Sequence, residues 1–148
     1  MKQHTTNWPE FDLQGPPEMT LRSGDNIDSR GPPLPFDPNE DIVSKLYLNK
    51  NVCGLPYVNF LSWVYYIFFL MSNALDCYAF GSDAASDGFI QTLEIKGRNL
   101  DYLNQLNLEQ KKVILDFLKS FHNLSPSYYM TDIIDNWLEF VEFPEHDQ

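Results

Sequence analysis

Phe60-Leu61-Ser62-Trp63-Val64-Tyr65-Tyr66-Ile67-Phe68-Phe69-Leu70-Met71 is the stretch on which the fold turns. Half of its residues are aromatic, and only Ser62 is small and polar. An amphipathic helix lies on a surface, whereas a helix without a charged face is expected to be covered on all sides, so the other segments become its covering. Asn59 stands where an N-cap is wanted and places this helix at about residues 60–75. The apolar run falls well short of the ~20 residues that a membrane span needs. A wider window brings in Pro56, Asn59, Ser72 and Asn73.

On the C-terminal side, Asp76–Gly88 reads as a loop rich in Asp and Gly. Its carboxylates lack the D-x-[DN]-x-[DN]-G spacing and the closing Glu of a calcium loop, and they read as solvated. Asp87 is placed to cap a helix over about 88–96, with Phe89, Ile90 and Leu93 inward and Gly97 as its stop. Asn107 with Gln110 three residues on has capping-box spacing and opens a helix over about 108–122. Val113, Ile114, Phe117, Leu118 and Phe121 form its apolar face, and Glu109, Lys111, Lys112, Asp116 and Lys119 read as its solvated side.

Ser125-Pro126 starts a last helix, about 126–142, with a sharper pattern. At 100° per residue Met130, Ile133, Ile134, Trp137, Leu138 and Val141 share one side, and Asp132, Asp135, Glu139 and Glu142 fall in a narrow sector opposite. No Lys or Arg follows Lys119. Glu139 and Glu142 lie near the C-terminal end of the helix, where the macrodipole disfavours negative charge, so stability does not account for them.

On the N-terminal side, Asp37-Pro38-Asn39-Glu40 has the form of a helix start, and Ile42, Val43, Leu46 and Tyr47 give a helix over about 38–48 one apolar face. Residues 1–36 hold six of the ten prolines and three of the seven glycines and read as an extended arm. Pro32-Pro33-Leu34-Pro35 reads as a stiff loop laid across the body, and Arg22 with Asp25 and Asp28 as a polar cluster that pins the arm. The expected fold is all-α: about five helices round a buried central one, with the arm at 1–36 and a single helical domain at 37–148.

With 148 residues the chain is long enough to bury a core without staples. Its formal charge of −11 argues against binding nucleic acid or anionic lipid and makes a basic protein the natural partner. Cys53 and Cys77 are too few for a disulfide framework or a cysteine-only zinc site and read as buried thiols. The N-terminus has no apolar run behind Lys2, so no signal peptide is expected and the cytoplasm is the expected compartment. His4, His122 and His146 are scattered, and HExxH, GxSxG, GxxxxGK[ST] and GxGxxG are all missing. An enzyme is not expected, and no catalytic residue, metal ligand or cofactor is assigned.

Several pieces resemble one known family. They are Leu21-Arg22-Ser23-Gly24-Asp25-Asn26-Ile27-Asp28, Pro32-Pro33, Pro35-Phe36-Asp37-Pro38, Gly54-Leu55 with Tyr57, Ser62-Trp63-Val64-Tyr65-Tyr66, Leu106-Asn107-Leu108-Glu109-Gln110 and Phe117-Leu118. Together they resemble an uncharacterised family of small bacterial proteins, a domain of unknown function. Val64 stands where that family usually has a basic residue, and Phe68 where it has proline. The resemblance implies a bacterial cytoplasmic protein with a helical body, and brings no activity, cofactor or catalytic residue.

The function expected first is therefore an immunity-type protein that neutralises a cognate bacterial toxin or other secreted effector through Asp132, Asp135, Glu139 and Glu142. Complementary charge raises association rate and specificity. The alternatives are a small enzyme or ligand-binding domain with an aromatic pocket near Trp63, Tyr65 and Tyr66, and a phage-encoded inhibitor that mimics nucleic-acid charge. Nothing in the sequence fixes an oligomeric state.

Overall fold

Asn59 accepts a hydrogen bond from the Ser62 backbone N–H at 3.0 Å, and the long apolar helix runs from there over Phe60–Asp76. The structure, a computed structural model, describes residues 16–77 and 82–143. In chain order the helices are α1 (Leu21–Asp28), α2 (Lys45–Asn51), α3 (Phe60–Asp76), α4 (Ala84–Thr92), α5 (Asn99–Leu103), α6 (Leu108–Leu124) and α7 (Tyr128–Glu142). A 3-10 turn, Val52–Tyr57, joins α2 to α3, and no strand occurs among the described residues. None of these helices is long and apolar enough to cross a membrane.

Trp63, Val64, Tyr66, Ile67, Leu70, Met71, Ala74 and Leu75 of α3 are buried in the core, against α4 on one side and α6 on another. The cover is not complete. Leu61 is 50% exposed, and Tyr65, Phe68 and Phe69 are half-buried, so one edge of α3 reaches the surface.

Residues 21–28, expected to be extended, form α1. Thr20 caps it by accepting from the Ser23 N–H at 3.0 Å. What holds so short a helix is tertiary: it packs most closely on the 3-10 turn, where Gly24 meets Gly54. A Cβ on Gly24 would lie 2.3 Å from the Gly54 carbonyl oxygen, and one on Gly54 would lie 2.3 Å from Leu21 O and Asp25 N. Only glycine lets the two backbones approach so closely. The first residues of the expected arm lie outside the described residues.

The proline loop is stitched to α1 from both ends. Asn26 donates to Pro32 O at 2.7 Å, the Leu34 N–H donates to Ser23 Oγ at 2.8 Å, and Arg22 Nη2 donates to Pro35 O at 3.0 Å. Arg22 does not pair with Asp25 or Asp28, as its spacing predicts; its partner is Asp41, through Nε at 3.1 Å and Nη2 at 3.0 Å. Asp41 also accepts from the Tyr47 hydroxyl at 2.7 Å and from the Asp37 N–H at 2.9 Å. The Tyr66 hydroxyl of α3 closes the node by accepting from the Leu21 N–H at 3.2 Å. Burial alone raises the Asp41 carboxyl, but the donations from Arg22, Tyr47 and Asp37 outweigh it and hold the group below its ordinary range.

This node explains why the helix expected over 38–48 does not form. Asp37 does cap one turn, accepting from the Asn39 N–H at 2.8 Å and the Glu40 N–H at 3.3 Å. The chain then turns Asp41 inward, and the helix restarts with Ser44 as cap. Tyr47 and Leu48 are buried, while Ile42 and Leu46, assigned to the inner face, are 64% and 78% exposed.

The helix expected at 88–96 starts earlier, at Ala84, because Asp83 rather than Asp87 is its cap. Asp83 accepts from the Ser86 N–H at 2.9 Å, from Asn49 at 2.9 Å and from Asn73 at 3.1 Å. Burial would raise the Asp83 carboxyl; these donors, Ser86 first, more than offset it and bring it down to about 2. The helix ends at Thr92, and Gly97 sits in the following loop with φ 55°. The box of Asn107 and Gln110 at the start of α6 forms as expected, with reciprocal bonds of 2.8 and 3.0 Å. Lys111 is no part of a solvated face: it is only 6% exposed, and its ammonium lies 4.1 Å from the centre of the Phe140 ring on α7.

Candidate partner-binding surface

Ser127, two residues beyond the expected start, caps α7 by accepting from the Met130 N–H at 3.1 Å. Two aromatic anchors then fix the rotation of the helix. The Trp137 indole N–H donates to Leu93 O at 2.6 Å, at the end of α4, and Phe140 packs edge-on against Trp137 with 5.2 Å between ring centres. Met130, Ile133, Trp137 and Phe140 are the buried residues of α7. Phe140 was not on the predicted inner face, and Leu138, which was, is exposed. The buried face is thus rotated toward Phe140, whose ring is held between Trp137 and Lys111, leaving Ile134 and Val141 half-buried on the flank.

Asp132, Asp135, Glu139 and Glu142 are all exposed. The α7 residues include no Lys or Arg. Glu142 is the last helical residue, and the Glu139 carbonyl accepts the terminal Phe143 N–H at 2.9 Å, so both carboxylates sit at the negative end of the helix dipole. Large apolar groups stand at both ends of the acidic row, Tyr128 (93% exposed) before it and Phe143 after it. Such rings supply contact area at modest entropic cost and are favoured at interfaces.

The other predicted positions are not brought to this surface. Trp63 and Tyr66 are buried in the core, Tyr65 is half-buried, and none of the three lines either cavity described below. Cys77 is buried as expected, but Cys53 is exposed. His122 sits half-buried in the last turn of α6, whereas His4 and His146 lie outside the described residues.

A feature that sequence reasoning missed lies beside the start of α7. A cleft of about 670 Å³ opens between the 3-10 turn, α4 and the loop after α4, with Tyr129 on its rim. The Tyr129 hydroxyl donates to Glu94 Oε2, and Lys96 Nζ lies 2.9 Å from Glu94 Oε1. Burial pushes the Tyr129 phenol up and Glu94 pushes it further; for Glu94, burial would raise the carboxyl, but the bonds from Tyr129 and Lys96 lower it overall. A smaller cavity of about 250 Å³ shares Pro56, Thr92 and Asn99 with the cleft and is bounded by Arg98 and Tyr102. The cleft joins residues as far apart as Asp28 and Tyr129, so no local spacing announces it.

These features define a helical protein whose last described helix turns a row of four exposed acids outward and contains no Lys or Arg. The chain belongs to a family of unknown function, DUF6714, whose model matches residues 10–141. No curated protein and no solved structure matches the chain.

Proposed function

We propose that this protein binds and neutralises a basic protein partner through the outer face of α7, in the manner of an immunity protein against a toxin. The observation that carries the reading is the row Asp132, Asp135, Glu139 and Glu142: exposed, on a helix that holds no cation, and continued to a helix end where the dipole disfavours it. Complementary charge of this kind steers encounter and fixes register. The exposed Tyr128 and Phe143 supply the apolar contact that charge alone does not. On this reading the chain is a bacterial cytoplasmic protein and its partner a delivered toxin with a cationic groove.

The test begins with capture of partners from the native host and with the gene beside this one. A neighbouring toxin gene supports the reading; a metabolic operon counts heavily against it. With the partner in hand, Asp132→Lys with Asp135→Lys is expected to leave the unfolding midpoint within about 1 °C, since exposed substitutions act weakly on stability. Association is expected to slow by about tenfold or more at low salt, with a smaller effect on dissociation. Unchanged association across these reversals removes the acidic face from the function.

A further inference from the structure

The cleft beside α7 has an unusual balance of donors and acceptors. Asn99 spends its amide donors on Gln91 O at 2.9 Å and Glu94 O at 3.0 Å, which leaves its carbonyl as the free end. The Tyr129 hydroxyl spends its one hydrogen-bond donor on Glu94. Asp28, at the last position of α1, adds a second carboxylate, and Val52, Leu55 and Pro56 form apolar wall. Among the described residues the one cation on the lining is Lys96; it is paired with Glu94, whose side chain is 18% exposed, but its own side chain is 75% exposed, so holding the ammonium there is worth little. Acceptors, an aromatic ring and apolar wall on one lining suit a guanidinium on a methylene stem, which makes planar charge-assisted bonds and stacks on aromatic rings.

The cleft is also continuous with the acidic row. Tyr129 lies on its rim, and Asp132, three residues on, is its neighbour on the helix surface. We propose that this cleft receives an arginine side chain of the basic partner, which displaces Lys96 from Glu94 and anchors the partner at the N-terminal end of the α7 face. The inference rests on the reading of α7 given above, and supplies a deep contact where the row itself offers only exposed charge.

Cys53 lines the cleft and is exposed, while Cys77 is buried, so alkylation by iodoacetamide reports on the cleft in the intact chain. N-acetylarginine amide is expected to halve the rate of Cys53 alkylation at a concentration of about 1–10 mM, the range for one charge-assisted side chain. Its neutral isostere N-acetylcitrulline amide is expected to leave the rate unchanged, and Glu94→Gln to abolish the protection while Cys77 stays unreactive. Equal protection by both amides, or none by either, overturns the proposal. In the complex with the captured partner, Gln91→Trp, which fills the cleft from the exposed side of α4, is expected to raise Kd about tenfold or more. If the α7 reversals slow association but Gln91→Trp leaves Kd unchanged, the cleft is not an anchor and the α7 reading survives; if only Gln91→Trp acts, the cleft stands and the α7 reading fails.

Discussion

Replacing Asp41 by asparagine removes one charge and turns one acceptor oxygen into a donor, at the place where α1, the proline loop and α2 are joined. The Asp41 side chain is 1% exposed and accepts from four donors: Arg22 Nε and Nη2, the Tyr47 hydroxyl and the Asp37 N–H. An asparagine whose oxygen keeps the Arg22 Nε and Tyr47 bonds must point its NH₂ at Arg22 Nη2 and the Asp37 N–H, donor against donor. Breaking one partner of a buried ion pair costs about 3–5 kcal/mol; Arg22 is 24% exposed at its side chain and recovers some hydration, which places Asp41→Asn near 3 kcal/mol. In a chain of this length that is a fall in Tm of about 6–12 °C.

The pH dependence gives an independent reading of the same node. The Asp41 carboxyl is held below its ordinary range in the folded protein, so its contribution is fully present above the unfolded pKa of about 3.9 and is lost as pH falls through the folded value. Asparagine does not titrate. The stability gap between wild type and Asp41→Asn, measured by urea unfolding with unchanged m, is therefore expected to be constant from pH 7 to about pH 5 and to narrow below pH 4. A loss under about 1 kcal/mol at pH 7, the size of an exposed pair, would refute the account of the node as a buried joint, as would a gap that stays constant in acid.

Gly54→Ala places a methyl 2.3 Å from backbone atoms of α1 that cannot rotate away, and is expected to cost about 3 kcal/mol in thermal unfolding. Gly97→Ala, where nothing lies within 4 Å but φ is +55°, is expected to cost only the left-handed strain of about 1 kcal/mol. Trp63→Ala in the core of α3 is expected to destabilise by about 3–5 kcal/mol, and Phe68→Ala, at the half-buried edge, by roughly half that; equal costs would show that the edge is as deeply packed as the centre. Asp83→Ala removes the α4 cap and leaves the Asn49 and Asn73 amides without their acceptor, for a loss of about 2–3 kcal/mol. Because Asp83 titrates at about 2 when folded, its advantage over Asp83→Asn is expected to fade between about pH 4 and pH 2 and to be unchanged at neutral pH.

The parts of the fold that local chemistry decides were legible in the sequence. Asn59 and the Asn107–Gln110 box act on N–H groups three residues away, so spacing alone finds them, and a run as apolar as 60–71 has few alternatives to a buried helix. The misreadings occur where a distant partner overrides the local preference. Gly24 and Ser23 weaken α1 as an isolated helix, yet Gly54 requires the small residue and Leu34 uses the hydroxyl. Asp83 wins over Asp87 because Asn49 and Asn73 come from other helices to hold it. Lys111 is spaced as a surface residue and is buried because Phe140 offers its ring face. Asp132, Asp135, Glu139 and Glu142 lie exposed, as their helical spacing implies, whereas the cleft beside them is a product of packing and has no local signature.

The segments that carried the family resemblance are largely consumed by the joint at α1. Arg22, Ser23 and Gly24 bind Asp41, the proline loop and Gly54; Ser62 accepts the Met19 N–H at 3.0 Å; Tyr66 accepts the Leu21 N–H. These polar groups satisfy one another and join α1, the proline loop and α3. The acids of α7 stand apart from that joint. No hydrogen bond or ion pair engages Asp132, Asp135 or Glu142 among the described residues, and substituting them disturbs no buried partner. A surface so disposed can change its charge pattern without changing the fold beneath it, which is what a protein fitted to one particular basic partner requires.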